Sequence, residues 1–302
     1  MKDSTSLSRR MFLKGSLVAA AAVGLKQALF AQAPAASAAA APQAPAAAAT
    51  PIPISLQLYS VRGDCKNNFD GAMEQVAKMG YNGVEFAGYG KYGGKAAELK
   101  KKLDDLGIKG IATHIGAGSF RGDALQKTIE FHQAIGCKYL IVPGDGAFTN
   151  PEGSKSLAEL FNKTAEVLKP LGMCCGYHNH TGEFAKVDGK TYYDLFAERT
   201  TKDVVLQQDV GWTAAAGLDP VELIKKYPGR FKIMHFKPHV LGGDNTKKAI
   251  IGQDSIEWTK LIAASREVGG VEWITIEQES YPDGKSAMEC SAMSLAGLKK
   301  LL

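Results

Sequence analysis

The stretch Met79-Gly80-Tyr81-Asn82-Gly83-Val84-Glu85-Phe86 contains the pattern that decides the fold of this chain. An amphipathic run ends at Gly80, a residue type that readily adopts the left-handed conformation that closes a helix. A short apolar run follows at once and carries a single carboxylate, Glu85. The same order of helix, glycine and strand recurs at Leu106-Gly107-Ile108, Ile135-Gly136-Cys137 and Leu171-Gly172-Met173. The chain is therefore predicted to repeat a unit in which a helix returns to a buried strand.

Eight such units can be placed along the sequence after residue 53. The predicted strands are Ile54–Leu58, Gly83–Phe86, Gly110–His114, Tyr139–Val142, Met173–Tyr177, Val204–Gln208, Lys232–His235 and Trp273–Ile276. The predicted helices are Phe69–Met79, Ala96–Leu106, Gly122–Ile135, Ser156–Leu168, Thr191–Glu198, Pro220–Lys226, Ile256–Val268 and Ala287–Leu301. Strands that are short, continuous apolar runs are typical of a parallel sheet buried on both faces.

Eight β/α units predict an α/β protein of the (β/α)8, or TIM, barrel class, because right-handed units of this kind close on themselves. The part of the chain from residue 54 onward has about 250 residues, the usual size of such a barrel in one domain. An open doubly wound sheet is the alternative. It is less favoured because no Gly-x-Gly-x-x-Gly turn follows the first strand.

The N-terminal 53 residues have a different character from the rest. Arg9 and Arg10 precede an apolar stretch, 15–30, and Ala31-Gln32-Ala33 follows as a small-residue cleavage site. This order predicts a secretory signal over residues 1–33, and the paired arginines resemble the twin-arginine class. An uncleaved membrane anchor is the alternative, but the apolar stretch is short and weakly hydrophobic. We therefore expect a periplasmic or otherwise exported protein with no stable membrane anchor after cleavage.

A linker rich in alanine and proline, residues 34–53, separates this signal from the catalytic domain predicted at 54–302. The signal also carries most of the basic charge. Residues 1–33 hold a surplus of four positive charges, so the rest of the chain accounts for only +1 of the total of +5. The sequence therefore predicts no nucleic-acid partner.

Polar side chains stand at the carboxyl ends of the predicted strands, where the chemistry of such barrels is located. Strand two contributes Glu85, strand three His114, strand five His178 and His180, strand six Asp209, strand seven His235 with Lys237, and strand eight Glu277. One such residue alone is more often structural than functional. Two or more imidazoles and two carboxylates converging on one barrel mouth would be buried charge without compensation, and a divalent metal resolves this. Mixed imidazole and carboxylate ligands suit Mn²⁺, Zn²⁺, Fe²⁺ or Co²⁺ better than Ca²⁺.

At these residues the sequence resembles the xylose-isomerase-like barrel superfamily, broadly described as sugar phosphate isomerases/epimerases. The resemblance spans about residues 54–302. It is carried by Leu56-Gln57-Leu58-Tyr59-Ser60, Tyr81-Asn82-Gly83-Val84-Glu85-Phe86, Tyr177-His178-Asn179-His180 with Glu183-Phe184, Gln208-Asp209-Val210-Gly211-Trp212, His235-Phe236-Lys237, Gly252-Gln253-Asp254-Ser255-Ile256-Glu257-Trp258 and Ile276-Glu277-Gln278-Glu279.

The resemblance implies one metal held at the ends of strands five to eight by Glu, Asp, His and Glu. Asp209, His235 and Glu277 match the last three positions. Where the family often has glutamate first, this chain has His178, so the first ligand is His178 or, as its substitute, Glu183. Mn²⁺ is the metal expected first, with Zn²⁺, Co²⁺, Fe²⁺ or Mg²⁺ as alternatives.

The chemistry implied is metal-assisted enolisation of a sugar or keto-sugar by an isomerase or epimerase. The base is His180 or Glu277, and Lys237 helps to neutralise the oxyanion. Substrate contacts are expected from Glu85, His114, Trp212 and Glu183. Because a histidine replaces one family glutamate, a lyase that eliminates a β-substituent from a 3-keto-glycoside or an inosose-like substrate is the alternative.

Two further classes are less favoured. Apurinic-site endonucleases share this barrel, but they need a histidine three residues after the strand-six aspartate, where this chain has Trp212. A non-catalytic sugar-binding protein would not need Asp209, His235 and Glu277. The expected partner is thus a small carbohydrate, and assembly into a homo-oligomer is left open.

Overall fold

The computed structural model describes residues 51–302, and eight parallel strands form its main sheet. We number them along the chain: β1 Ile54–Gln57, β2 Gly83–Phe86, β3 Lys109–His114, β4 Tyr139–Val142, β5 Cys174–His178, β6 Val205–Gln207, β7 Ile233–Phe236 and β8 Trp273–Ile276. Their spatial order is β6-β5-β4-β3-β2-β1-β8-β7, so consecutive strands are neighbours and β8 pairs with β1. This arrangement confirms the predicted (β/α)8 barrel class.

The barrel closes between β6 and β7 just beyond the regular part of β6. Asp209 and His235 form a parallel bridge there, and the His235 amide donates to the Gln208 carbonyl at 2.9 Å. Nearer the amino ends, the Leu206 amide donates to the Arg230 carbonyl at 2.9 Å. The seam of the barrel therefore runs through two residues predicted to bind a metal.

The helices that cover the described sheet alternate with its strands. They are α1 Arg62–Asn67, α2 Phe69–Met79, α3 Ala96–Leu106, α4 Gly122–Ala134, α5 Pro151–Leu168, α6 Tyr192–Arg199, α7 Val210–Ala215, α8 Pro220–Lys226, α9 Trp258–Ala264 and α10 Ala287–Lys299. Gly80, Gly107 and Gly172 adopt positive φ after helical segments, as their positions in the sequence predicted. Each therefore returns the chain to the next strand in the way that the repeated unit requires.

Several predicted boundaries were wrong by a few residues. Helix α5 begins at Pro151 rather than Ser156, because the Asn150 side chain caps it by accepting from the Gly153 amide at 2.8 Å. The run predicted as Ile256–Val268 is the shorter α9, followed by a π-helical turn. Strands β5 and β7 lie one residue later than predicted, so His178 is the last residue of β5.

Three short elements were not predicted from the sequence. They are α1, α7 and a two-stranded antiparallel hairpin that pairs Lys186–Val187 with Lys190–Thr191. Each has too few residues to show a helical or strand period. Of these, α7 bears on the site, because Asp209 caps its amino end.

The barrel interior changes from apolar to polar along the strands. Side chains near the amino ends form a small apolar cluster of Ile111, Ala112, Tyr139, Ile141, Val205 and Ile233. Side chains near the carboxyl ends are polar and fully buried, among them Gln57, Glu85, Gln207 and His235. The larger core lies between the strands and the surrounding helices. The interior is thus packed with apolar side chains near the amino ends of the strands and with polar side chains near the carboxyl ends, where the site lies.

The predicted signal over residues 1–33, and the linker at 34–53 apart from its last three residues, lie outside the described residues. Export and the twin-arginine class therefore stay predictions. Between residues 51 and 302 no helix is both long and apolar enough to cross a bilayer.

We expect Gly176→Ala to lower the thermal unfolding midpoint, because a Cβ at this position in β5 would lie 2.6 Å from the Val205 carbonyl oxygen. Backbone cannot yield as a flexible side chain does, so we expect a loss of about 1–3 kcal/mol in the free energy of unfolding. Gly63→Ala in α1 is the matched control, since nothing lies within 4 Å of the added carbon. Equal midpoints for the two variants would contradict this close approach of β5 and β6.

Candidate metal centre

Four buried side chains from four neighbouring strand ends meet at the mouth of the barrel. His178 ends β5, Asp209 follows β6, His235 lies in β7 and Glu277 follows β8. One ligand atom from each lies within 4.8 Å of one atom from every other. The structure therefore brings together the four residues that the sequence proposed as metal ligands.

Asp209 uses its two carboxylate oxygens differently. Oδ1 accepts from the Trp212 amide at 2.8 Å and caps α7. Oδ2 is buried and lies 3.9 Å from His235 Nδ1 and 4.0 Å from His178 Nε2. Burial raises the pKa of this carboxyl to about 7, with Lys237 opposing the rise and Glu277 adding to it. The helix cap fixes the carboxylate so that its second oxygen faces the cluster.

His178 is a buried imidazole whose surroundings favour the neutral form, which can bind a metal, over the protonated form. Burial places its pKa well below the usual value, and the neighbouring His235 and His114 lower it further. Within residues 51–302, neither His178 Nδ1 nor Asp209 Oδ2 has a hydrogen-bond partner. Buried polar atoms are normally satisfied, so the unpartnered Asp209 Oδ2, which faces nitrogens of His178 and His235, needs an explanation. A divalent cation fits these neutral imidazole and carboxylate donors.

His235 is held from below by Glu85. Its Nε2 lies 2.6 Å from Glu85 Oε2, which leaves Nδ1 on the side of the cluster, 3.2 Å from Glu277 Oε2. Burial lowers the pKa of His235, but Glu85 and Glu277 together raise it to about 10. A metal-bound histidine usually donates a hydrogen bond from its other ring N–H to a carboxylate, as His235 can to Glu85.

Glu85 was predicted to contact substrate, and the structure places it elsewhere. Its carboxylate has no exposed surface and accepts from Gln207 Nε2 at 2.9 and 3.1 Å in addition to its contact with His235. Burial raises its pKa, but His114 and His235 bring the value down to about 2. Glu85 is therefore an anion that orients His235, because its strand position points the side chain across the barrel instead of into the cavity.

Glu183 was predicted as a substrate contact and as the substitute for the first ligand. Its Oε1 accepts from the Tyr177 hydroxyl at 3.2 Å, and its Oε2 accepts from the His180 amide at 2.8 Å. Both oxygens are thus used to hold the loop that follows β5. The geometry puts His178, and not Glu183, in the four-residue cluster.

A cavity of about 490 Å³ opens beside the cluster at the carboxyl ends of the strands. Its walls are formed by Tyr59, Ala87, His114, Pro143, Gly144, His178, His180, Trp212, Glu277 and Glu279. Of the predicted substrate contacts, His114 and Trp212 lie on these walls. His114 also forms a second cluster with His178 and His235, but its Nε2 lies 2.9 Å from Gln207 Oε1 and 3.2 Å from Glu85 Oε1. The four-residue cluster, with the unsatisfied carboxylate oxygen of Asp209, is the better metal site.

The proposed proton-transfer group His180 is exposed to the cavity and packs on Trp212, with 5.6 Å between ring centroids. Burial of part of the ring lowers its pKa, an effect that Glu183 opposes. The Lys237 ammonium also lies over the Trp212 ring, 4.3 Å from its centroid. The two groups assigned to catalysis therefore both contact one aromatic side chain.

Five of the residues on the cavity walls were not predicted as site residues: Tyr59, Ala87, Pro143, Gly144 and Glu279. Two of them have long side chains: Tyr59 is 45% exposed, and Glu279 forms an ion pair with Lys237. Both stand in motifs that carry the family resemblance, and the alternation of side chains after Glu277 could have indicated Glu279. The motif that contains Tyr59 gave this residue no role.

The fold and the site are those of an enzyme-like (β/α)8 barrel, in which the polar groups lie at the carboxyl ends of the strands. The chain belongs to the xylose isomerase-like TIM barrel family, whose model matches residues 73–297. Members and neighbours of this family include sugar isomerases, epimerases and dehydratases by name.

Three relatives illustrate the similarity. The inosose dehydratase of Geobacillus kaustophilus is 25% identical over 255 residues, which cover 70% of this chain and 80% of that protein. A sugar phosphate isomerase/epimerase from Parabacteroides distasonis has a TM-score of 0.70 at 25% identity, covering 84% of this chain and 96% of the other. The IolI protein, crystallised with a bound zinc atom, has a TM-score of 0.61 at 14% identity, covering 82% and 97%; this last likeness concerns the fold alone.

We expect Asp209→Asn and Glu277→Gln each to weaken metal binding by on the order of 100-fold or more, since even outer-shell changes cost about 10–100-fold. The asparagine keeps an oxygen to cap α7, so the unfolding midpoint of Asp209→Asn should stay close to that of the wild type. Calorimetric titration with Mn²⁺ measures the affinity, and circular dichroism checks the fold. Wild-type affinity in both variants would remove these residues from the metal site.

Proposed function

We propose that this protein is a metal-dependent lyase that removes a proton next to the carbonyl of a keto-sugar or cyclic keto-polyol and then eliminates the β-hydroxyl group as water. The observation that supports this most directly is the unsatisfied buried atom Asp209 Oδ2, which lies within 4.0 Å of both His178 Nε2 and His235 Nδ1 in the four-residue cluster. Such a cluster is suited to a metal that binds the oxygens of a polyol.

The residues that would hold the metal are His178, Asp209, His235 and Glu277. A divalent cation bound there supplies Lewis-acid polarisation of the substrate carbonyl, which acidifies the adjacent C–H bond. Mn²⁺ is our first expectation, followed by Zn²⁺, Co²⁺, Fe²⁺ and Mg²⁺. The fold itself accommodates zinc in the IolI protein.

The other groups of the chain carry the proton and the charge. The His180 imidazole accepts the proton next to the carbonyl, and the C–H electron pair moves into an enolate. Lys237 donates hydrogen bonds to the enolate oxygen and offsets its charge. As the carbonyl re-forms, the C–O bond to the β-hydroxyl breaks, and the protonated His180 returns its proton to the departing hydroxide. The balance is loss of one water and formation of an α,β-unsaturated ketone.

Two aromatic side chains would enclose the substrate. Trp212 and Tyr59 both line the cavity, and their rings would contact the apolar C–H surface of a sugar. Tyr59 is supported from outside by Arg62, whose guanidinium carbon lies 4.4 Å from the ring centroid. These walls hold the ring of the substrate against His180 and limit the access of water.

Elimination is favoured over epimerisation because the acid and base groups are unlike. Epimerisation at one carbon needs a base on each face, and the family uses two glutamates for this. Here the strand-five position holds His178, which lies buried in the metal cluster, and Glu277 is left as the single carboxylate of the pair. The curated relatives that this chain resembles, named inosose dehydratase, support the same choice.

Isomerisation or epimerisation of a keto-sugar is the second candidate. It shares the enolate and differs in where the proton returns. The similarity to a sugar phosphate isomerase/epimerase from Parabacteroides distasonis supports it.

The two reactions are separated by incubating the Mn²⁺-loaded protein with inososes, 3-keto-glycosides and keto-sugars in D₂O and following products by NMR. For a lyase, we expect a new vinylic or unsaturated-ketone signal, with loss of the β-hydroxyl group as water from an inosose and release of the aglycone as an alcohol from a 3-keto-glycoside, the leaving oxygen taking the proton from His180. Deuterium incorporation with interconversion of two saturated sugars would instead establish the isomerase. Neither change with any of these substrates, by a protein that binds the metal, would contradict enolisation chemistry altogether.

We further expect His178→Ala and His180→Ala to behave differently, although the two residues are only two positions apart. His178→Ala should lose the metal and the activity together. His180→Ala should keep the metal and bind substrate, but lose turnover by on the order of 10²–10⁴, the usual contribution of a positioned general base. Metal titration and steady-state kinetics measure both. Near-normal turnover of His180→Ala would make Glu277 the leading base, and loss of metal only in His180→Ala would reverse the two roles.

A further inference from the structure

Lys237 is a buried cation surrounded by three carboxylates. It is 8% exposed, and its Nζ lies 3.4 Å from Glu277 Oε2 and 4.0 Å from Asp209 Oδ2. A third carboxylate, that of Glu279, forms an ion pair with it, and the face of Trp212 covers it on another side. Lys237 therefore adjoins two of the four residues that would hold the metal.

This placement sets two cations in competition. A metal in the cluster and the Lys237 ammonium are both attracted by Asp209 and Glu277, and they repel each other in an environment where water screens little. A lysine that paired fully with Glu277 would take up an oxygen that the metal needs. The ion pair with Glu279 and the cation–π contact with Trp212 instead draw the ammonium away from those two carboxylates.

The backbone that carries Glu279 is fixed by the residue before it. Gln278 is fully buried, its amide donates to Ser60 Oγ at 2.8 Å, and its Oε1 accepts from Ser294 Oγ at 2.6 Å. Because side chains alternate along extended backbone, Glu277 and Glu279 are both presented to the cavity. The two carboxylates are thus held side by side, one facing the metal cluster and one facing Lys237.

We infer that Glu279 is a positioning residue: its ion pair with Lys237 keeps the ammonium from competing with the metal for Asp209 and Glu277. The inference rests on the proposed function, since it requires a metal in the four-residue cluster. The inference explains why position 279 carries a negative charge, which the four metal ligands alone do not explain.

The test is a double-mutant cycle read as metal affinity. Glu279→Gln keeps the shape of the side chain and removes its charge, so Lys237 should turn to Glu277 and raise the dissociation constant for Mn²⁺ by about 10–100-fold. Lys237→Met removes the competing cation and should bind Mn²⁺ at least as tightly as the wild type. In Glu279→Gln/Lys237→Met the loss should be abolished, because there is no longer a lysine to restrain.

Calorimetric titration with Mn²⁺ alone, and competition of Zn²⁺ with a chelator, measure these affinities in the full chain. Glu257→Gln is the matched control, because its exposed carboxylate pairs with Lys260 on the surface and should not change the affinity. Wild-type affinity in Glu279→Gln would overturn this inference but leave the proposed function standing. A double variant as weak as Glu279→Gln would also overturn it and would make Glu279 a direct ligand. A wild-type protein that binds neither metal would overturn both the inference and the proposed function.

Discussion

The site depends on how the barrel closes. Strands β6 and β7 are joined at the bridge between Asp209 and His235, and this one contact sets the carboxylate and the imidazole beside each other. The two residues are 26 positions apart in the sequence, and the helical segments between them return the chain to this seam. His178 and Glu277 then join from the strands on either side, because parallel strands present their carboxyl ends at one edge.

Burying this much charge is costly unless each charged group has a partner of opposite charge. The structure provides such partners at successive depths in the barrel. Glu85, with no exposed surface, balances His235 and is itself satisfied by Gln207 and His114. Above it, the carboxylates of Asp209 and Glu277 face imidazole nitrogens across a gap suited to a cation. Beside them, Lys237 and Glu279 neutralise each other. Each buried charge thus has a partner of opposite sign close by.

The sequence located the site more reliably than it assigned the role of each residue. Every polar residue at a strand end lies close to the barrel mouth, because β-strands of a parallel barrel all point the same way. Yet Glu85 reaches across the interior to His235, and Glu183 turns back to the His180 amide, so neither lines the cavity. Whether a carboxylate meets another side chain or open space depends on the strands across the barrel, which the local pattern does not describe. Tyr59 was missed for the same reason.

What the sequence by itself determined is the repeated β/α unit, with its glycine helix caps and apolar strands, and the order of polar residues at the strand ends. These follow from local constraints on backbone conformation and burial, which a few neighbouring residues satisfy. Only the tertiary structure decided that His178 joins Asp209, His235 and Glu277, that Glu85 contacts His235 beneath them, and that Glu279 pairs with Lys237. Those relations join side chains from β2, β5, β6, β7 and β8, and their geometry exists only when the barrel is closed, because distances between strand ends are set by the packing of the whole sheet.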